Sequence, residues 1–131
     1  MEKQNQSNNF KNFFLIGLVS TLLNKAKKKN RKGPSMNETQ LKNKVMAYLN
    51  THPGIYARKV SDRYSAGYPD IWGCYHGRFF CIELKSINGK VSDIQKYEMN
   101  KICEALGDAR VCRSLQEVKD FIEMIREIHN K

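Results

Sequence analysis

The sequence predicts an α/β domain with the order helix, three strands, helix, strand, helix. Three observations point that way. Two strand-like apolar segments flank His76-Gly77, three stretches carry helix-capping signatures ahead of apolar residues at helical spacing, and a further β-rich stretch follows a Pro-Gly break. At 131 residues the chain suits one compact domain with an appendage.

The appendage is residues 1–35, which hold eight Lys or Arg against one acid, whereas residues 36–131 hold fifteen against twelve; the formal net charge is +10. A basic chain is drawn to phosphate polymers or anionic membranes, and charge alone does not choose between them. Within the leader, Phe13–Leu23 (FFLIGLVSTLL) is an eleven-residue apolar run, short of the ~20 residues that span a bilayer. KAKKKNRKG follows it where a signal peptide would place a cleavage site. Two readings stay open: a flexible leader or short docking helix with a solvated basic linker, and a membrane-surface or nucleic-acid arm. Nothing after Met36 needs what precedes it, so Met36 is a candidate translation start.

Asn37 is a suitable N-cap with Gln40 three residues on, and Leu41, Val45, Tyr48 and Leu49 share one helical face, so a helix is expected to about Asn50. His52, Pro53 and Gly54 end it. Ile55–Arg63 is rich in β-branched and aromatic residues but interrupted by charge, which suits a strand near the sheet edge.

The next stretch, Gly67–Lys85, reads GYPDIWGCYHGRFFCIELK. A two-residue turn at His76-Gly77 pairs Tyr75 with Arg78, so that partner numbers sum to 153 and Asp70 lies opposite Glu83. The strand period of two then sets Lys85 on the face of Glu83. Trp72, Cys74, Phe79 and Cys81 share that face; Ile71, Tyr75, Phe80, Ile82 and Leu84 share the other, and helices are expected on both sides. Ionised side chains are costly to bury unless paired or bound to metal. Two carboxylates face to face repel unless something positive lies between them, and a hard divalent cation, Mg²⁺ or alternatively Mn²⁺, takes oxygen ligands in this way. The plainer alternative is a cross-strand Lys-Glu pair with Asp70 in a Pro-Asp turn. PD and ExK are weak signals singly; their conjunction in matching register inside an apolar hairpin favours the metal site.

Downstream, Ser92 caps a second helix with Gln95 at its third position, and Gly107 is expected to close it. Ala109–Arg113 is a short strand, and Ser114 with Glu117 forms another capping box. Leu115, Val118, Phe121, Ile122, Ile125 and Ile128 then mark a final amphipathic helix. Cys74, Cys81, Cys103 and Cys112 include no CxxC pair and no ligand-spaced histidines, which argues against zinc and against a disulfide scaffold. Reduced thiols in a cytoplasmic protein are expected, with Cys103 and Cys112 as packing residues.

GYPD, twelve residues, ELK and then NGKVSDIQ resemble the VRR-NUC branch of the PD-(D/E)XK nuclease superfamily, over about residues 37–115. Its small members are often phage-encoded and Holliday-junction-resolvase-like. The resemblance implies a restriction-endonuclease-like core over residues 36–131, with a central mixed sheet and helices on both faces. It implies metal-dependent hydrolysis of phosphodiesters, with Asp70, Glu83 and Lys85 catalytic, the Leu84 carbonyl completing the metal shell, and Gln95 matching the family's downstream glutamine. Glu38 matches a first-helix glutamate that often joins the metal, and reads equally well as an acid favouring the helix N-terminus. Gln95 likewise has a purely local capping role to fill. Arg58, Lys59, Arg63, Arg78 and Lys90 are candidate phosphate contacts, each also readable as solvated surface charge. No base-reading motif is present, so shape selection is expected: branched, flapped or nicked DNA in replication, repair or recombination. A homodimer follows from the resolvase-like relatives only. The competing classes are a noncatalytic nucleic-acid-binding module on a nuclease-derived fold and a membrane-associated adaptor working through the leader.

Overall fold

In a computed structural model of the protein, the structure describes residues 36–61 and 66–131. The leader with its apolar run, residues 1–35, and Arg63 lie outside the described residues, whereas Met36 is described and packs against the core. Helix α1 is Glu38–Thr51. It starts where the capping signature lies: Asn37 Oδ1 accepts the Gln40 amide at 2.9 Å and Gln40 Oε1 accepts the Asn37 amide at 3.2 Å. Strand β1 follows as Ile55–Lys59, then β2 as Ile71–Tyr75 and β3 as Arg78–Leu84. The β2–β3 turn has positive φ at both His76 (47°) and Gly77 (85°), the geometry whose twist matches a two-residue hairpin. Its consequence is the expected register, from Ile71 opposite Ile82 to Tyr75 opposite Arg78. Helix α2 is Asp93–Glu104, β4 is Asp108–Cys112 and α3 is Leu115–His129.

The sheet order is β1-β2-β3-β4, with β4 parallel to β3 and the other pairs antiparallel. This is a mixed sheet in a restriction-endonuclease-like α/β fold. β1 occupies an edge, as its charged residues require.

Two local expectations are corrected. Gly107 does not supply the left-handed residue that ends α2; Leu106 does, at φ 66°, and the Gly107 amide closes the turn on the Ile102 carbonyl at 2.9 Å. Gly107 is needed for room instead, since a Cβ there would lie 2.8 Å from Ile102 Cγ2 and 3.1 Å from Phe79 Cδ1. The second correction concerns α3. Ser114 caps it by accepting the Glu117 amide at 3.2 Å, but the Glu117 carboxylate reaches past the cap to the Arg113 amide at 2.7 Å, so the reciprocal half of the box falls one residue early.

One sheet face, with Ile71, Tyr75, Phe80, Ile82 and Leu84, packs against Leu41, Val45 and Leu49 of α1 and Val118, Phe121, Ile122 and Ile125 of α3. Full burial of each large side chain contributes about 1.5–3 kcal/mol. The opposite face meets α2, whose Met99 is buried, yet Trp72 and Phe79 remain 41% and 42% exposed. Helices lie on both faces as expected. The carboxylate face is only partly covered. All four cysteines are free, with Cys112 in the core and Cys103 half-buried. Among the described residues no helix is long and apolar enough to cross a membrane.

Candidate active site

The hairpin delivers two acids to one place. Asp70 immediately precedes β2 and Glu83 is the next-to-last residue of β3, so the 71–82 pairing carries Asp70 to the position facing Glu83. Asp70 is fixed by two donors: the Leu84 amide reaches its Oδ2 at 2.8 Å and Lys42 Nζ its Oδ1 at 2.6 Å. In an extended strand a residue's amide and carbonyl address the same neighbour, so the Leu84 carbonyl opens toward the Asp70 side as well. Glu83 is 3% exposed and accepts two donors on Oε1, Lys85 Nζ at 3.0 Å and Gln95 Nε2 at 2.8 Å.

Burial pushes the Glu83 carboxyl above its ordinary range, and the negative charge of Asp70 pushes it further. Lys85 and the Asp70 backbone act against that rise without cancelling it. Burial therefore outweighs the compensation that Lys85 gives Glu83, although each carboxylate has a lysine beside it.

Gln95 serves both roles that the sequence left open. Its Oε1 accepts the Ser92 amide at 3.0 Å, completing the α2 capping box, while its Nε2 holds Glu83. The α2 N-terminus is thereby tied to the carboxylate pair. Glu38 sits elsewhere: it is exposed at the start of α1 and accepts the Ser86 amide at 3.2 Å, bracing the loop that follows Lys85. Arg113 braces the same loop from the other side, donating through Nη1 to the carbonyls of Ser86 at 2.6 Å and Gly89 at 2.7 Å.

Sequence reasoning missed Lys42 and Arg113. Lys42 follows Glu38 by one helical turn, so the available signal was a lysine on the helical face that Glu38 marks. Arg113 carried no signal, because its partners are backbone carbonyls. Of the candidate phosphate contacts, Arg58 is exposed on the carboxylate face, with its guanidinium 5.3 Å from the Tyr56 ring centroid. Lys90 is exposed in the loop after β3. Lys59 donates to Asn43 of α1 at 3.0 Å. Arg78 lies at the far end of β3 and pairs with buried Asp108.

The donor set suits a hard divalent cation. Asp70 and Glu83 offer carboxylate oxygens from adjacent strands, Leu84 a carbonyl, and a cation would relieve the repulsion between the two carboxylates that remains beside their lysines. Among the described residues no three His, Cys, Asp or Glu side chains converge, so Glu38 is not gathered with the pair as a third ligand. Two carboxylates with the remaining positions left to water and substrate phosphate is the usual protein share for Mg²⁺.

This fold is shared with a solved structure described as a VRR_NUC domain, to which the chain is similar with a TM-score of 0.57 and 23% identity. The match covers 66% of this chain and 94% of that one. No protein-family model matches the sequence, and no curated protein does either.

Proposed function

We propose that the protein is a metal-dependent endonuclease of the VRR-NUC type that hydrolyses DNA phosphodiester bonds, selecting branched, flapped or nicked substrates during replication, repair or recombination. The observation that carries this reading is the opposition of Asp70 and Glu83 across a hairpin whose register is pinned by its own turn, with Lys85 at 3.0 Å from Glu83. Asp70, Glu83 and the Leu84 carbonyl would hold Mg²⁺ or Mn²⁺. A bound cation supplies Lewis-acid polarisation of the phosphodiester and neutralises its charge. Gln95 fixes the Glu83 carboxylate, and Lys42 with the Leu84 amide fixes that of Asp70, so neither must reorganise as charge develops. Lys85, its side chain 15% exposed, presents an ammonium beside the pair to hold the attacking water or offset negative charge on the phosphoryl oxygens. Arg58 and Lys90 would contact flanking phosphates. A homodimer would offer one such site to each of two strands, and four free thiols suit the cytoplasm.

The test is a cleavage panel in Mg²⁺ across linear, nicked, flap and four-way DNA, run beside Asp70→Ala. Cleavage of the nicked or branched members that disappears with EDTA and with the substitution supports the proposal. Binding without cleavage, unchanged in Asp70→Ala, would assign the fold to a noncatalytic binding module.

A further inference from the structure

The sheet face that carries Asp70 and Glu83 also carries an aromatic surface that the core does not use. Trp72 and Phe79 are stacked, with ring centroids 6.4 Å apart and planes 29° apart, and both are about two-fifths exposed. Tyr56, 56% exposed, lies on the same face of the edge strand under the Arg58 guanidinium. Between the Trp72–Phe79 pair and α2 runs a cleft of about 630 Å³. Tyr68, Ile102, Cys81, Glu98 and, from the edge strand, Lys59 are among the residues that line it.

The chemistry of this cleft selects its occupant. Exposed rings give a flat apolar platform suited to a π-face, and such stacking is how proteins hold unpaired bases. The Glu98 side chain has no hydrogen-bond or ion-pair partner among the described residues. It is placed to accept from the exocyclic amine of a base, and its charge disfavours a phosphate beside it, so a base fits between Glu98 and the rings while the backbone phosphate falls to Lys59. A base within a duplex keeps its faces covered by its neighbours. The occupant must therefore be unpaired. Trp72 is two residues along the strand from Asp70, about 7 Å on the same face, or about two nucleotides at the ~3.4 Å spacing of stacked bases.

We propose that the Trp72–Phe79 cleft takes an unpaired nucleobase of a single-stranded segment, stacked about two nucleotides from the phosphodiester at Asp70 and Glu83. Its placement beside a scissile bond rests on the nuclease reading; its binding chemistry does not. This gives structure selectivity a physical source, since frayed and branched junctions offer unpaired bases and intact duplex does not.

Trp72 is the single tryptophan of the chain, so its emission reports on this cleft alone. The full chain is titrated in EDTA with a mixed-sequence single strand and with its blunt duplex. Expected is saturable quenching by the single strand, with the duplex weaker by roughly tenfold, the scale of one stacked base. Phe79→Ala should lose a similar factor in single-strand affinity, and Phe79→Tyr should retain it. Equal response to duplex and single strand, absence of quenching, or a Phe79→Ala protein that folds and binds as well as wild type would overturn the proposal. Emission that follows protein concentration and ignores DNA would assign the face to a second copy and overturn it too. Quenching in EDTA without cleavage in Mg²⁺ would remove the nuclease reading and leave the base site standing, whereas cleavage without quenching would do the reverse.

Discussion

Replacing Glu83 with Gln should make the metal-free protein more stable at neutral pH while removing cleavage. The carboxyl is buried and faces Asp70, and its proton affinity rises on folding above the ordinary glutamate value of 4.5. Through a pH window starting near 4.5 the native state thus keeps a proton that the unfolded chain has released. This group's favourable contribution is complete below the window and is lost as pH rises through the folded-state value. Glutamine is the permanently neutral counterpart. It relieves charge burial and the Asp70 repulsion, keeps an oxygen for Gln95, and forfeits the 3.0 Å ion pair with Lys85. Opposed terms of a few kcal/mol each leave a net gain on the order of 1 kcal/mol, or about 4–8 °C in Tm for a domain of roughly 100 residues. Thermal melts in EDTA, repeated from below pH 4.5 up to neutrality, measure it. Wild type should lose stability relative to Glu83→Gln as pH rises. Parallel pH profiles, or a variant less stable at neutral pH, would refute the claim that the site stores unfavourable charge for a cation to relieve.

Further substitutions test the supports of the site. Gln95→Ala removes both the reciprocal half of the α2 cap and the bond to Glu83; a loss of about 1 kcal/mol is expected in urea unfolding, together with a fall in cleavage that capping alone would not cause. Arg113→Lys cannot span the Ser86 and Gly89 carbonyls in the same way, so exchange of the Gly89 amide, bonded to Ser86 at 3.0 Å, should quicken by roughly tenfold while the global melt barely moves. Gly107→Ala should cost about 1–3 kcal/mol by crowding Ile102 and Phe79. Leu106→Gly should raise Tm by relieving a left-handed residue that is 73% exposed; opposite signs for these two would return the helix stop to Gly107.

What the sequence disclosed was local. The Asn37-Gln40 and Ser92-Gln95 boxes act within one helical turn, and the His76-Gly77 turn fixes every pairing that follows from it, so the opposition of positions 70 and 83 needed no tertiary information. What it withheld depends on elements meeting across the fold. Lys42 finds Asp70 only because α1 packs on the sheet against β1 and β3, and Arg113 finds its carbonyls only because β4 lies parallel to β3. Leu106 takes the left-handed position because Gly107, the better residue for it, is needed one step later where Phe79 and Ile102 close in. The exposure of Trp72 and Phe79 was hidden for a related reason: alternation assigns a side chain to a face but does not say how far a helix extends over that face.

The most direct measurement is calorimetric titration of the metal-free protein with Mg²⁺ or Mn²⁺, beside Asp70→Asn and Glu83→Gln. A saturable site in wild type that either substitution abolishes, with both variants still folded, is the expected result. Equal binding in all three proteins, or none in wild type, would mean that the facing carboxylates do not form a cation site.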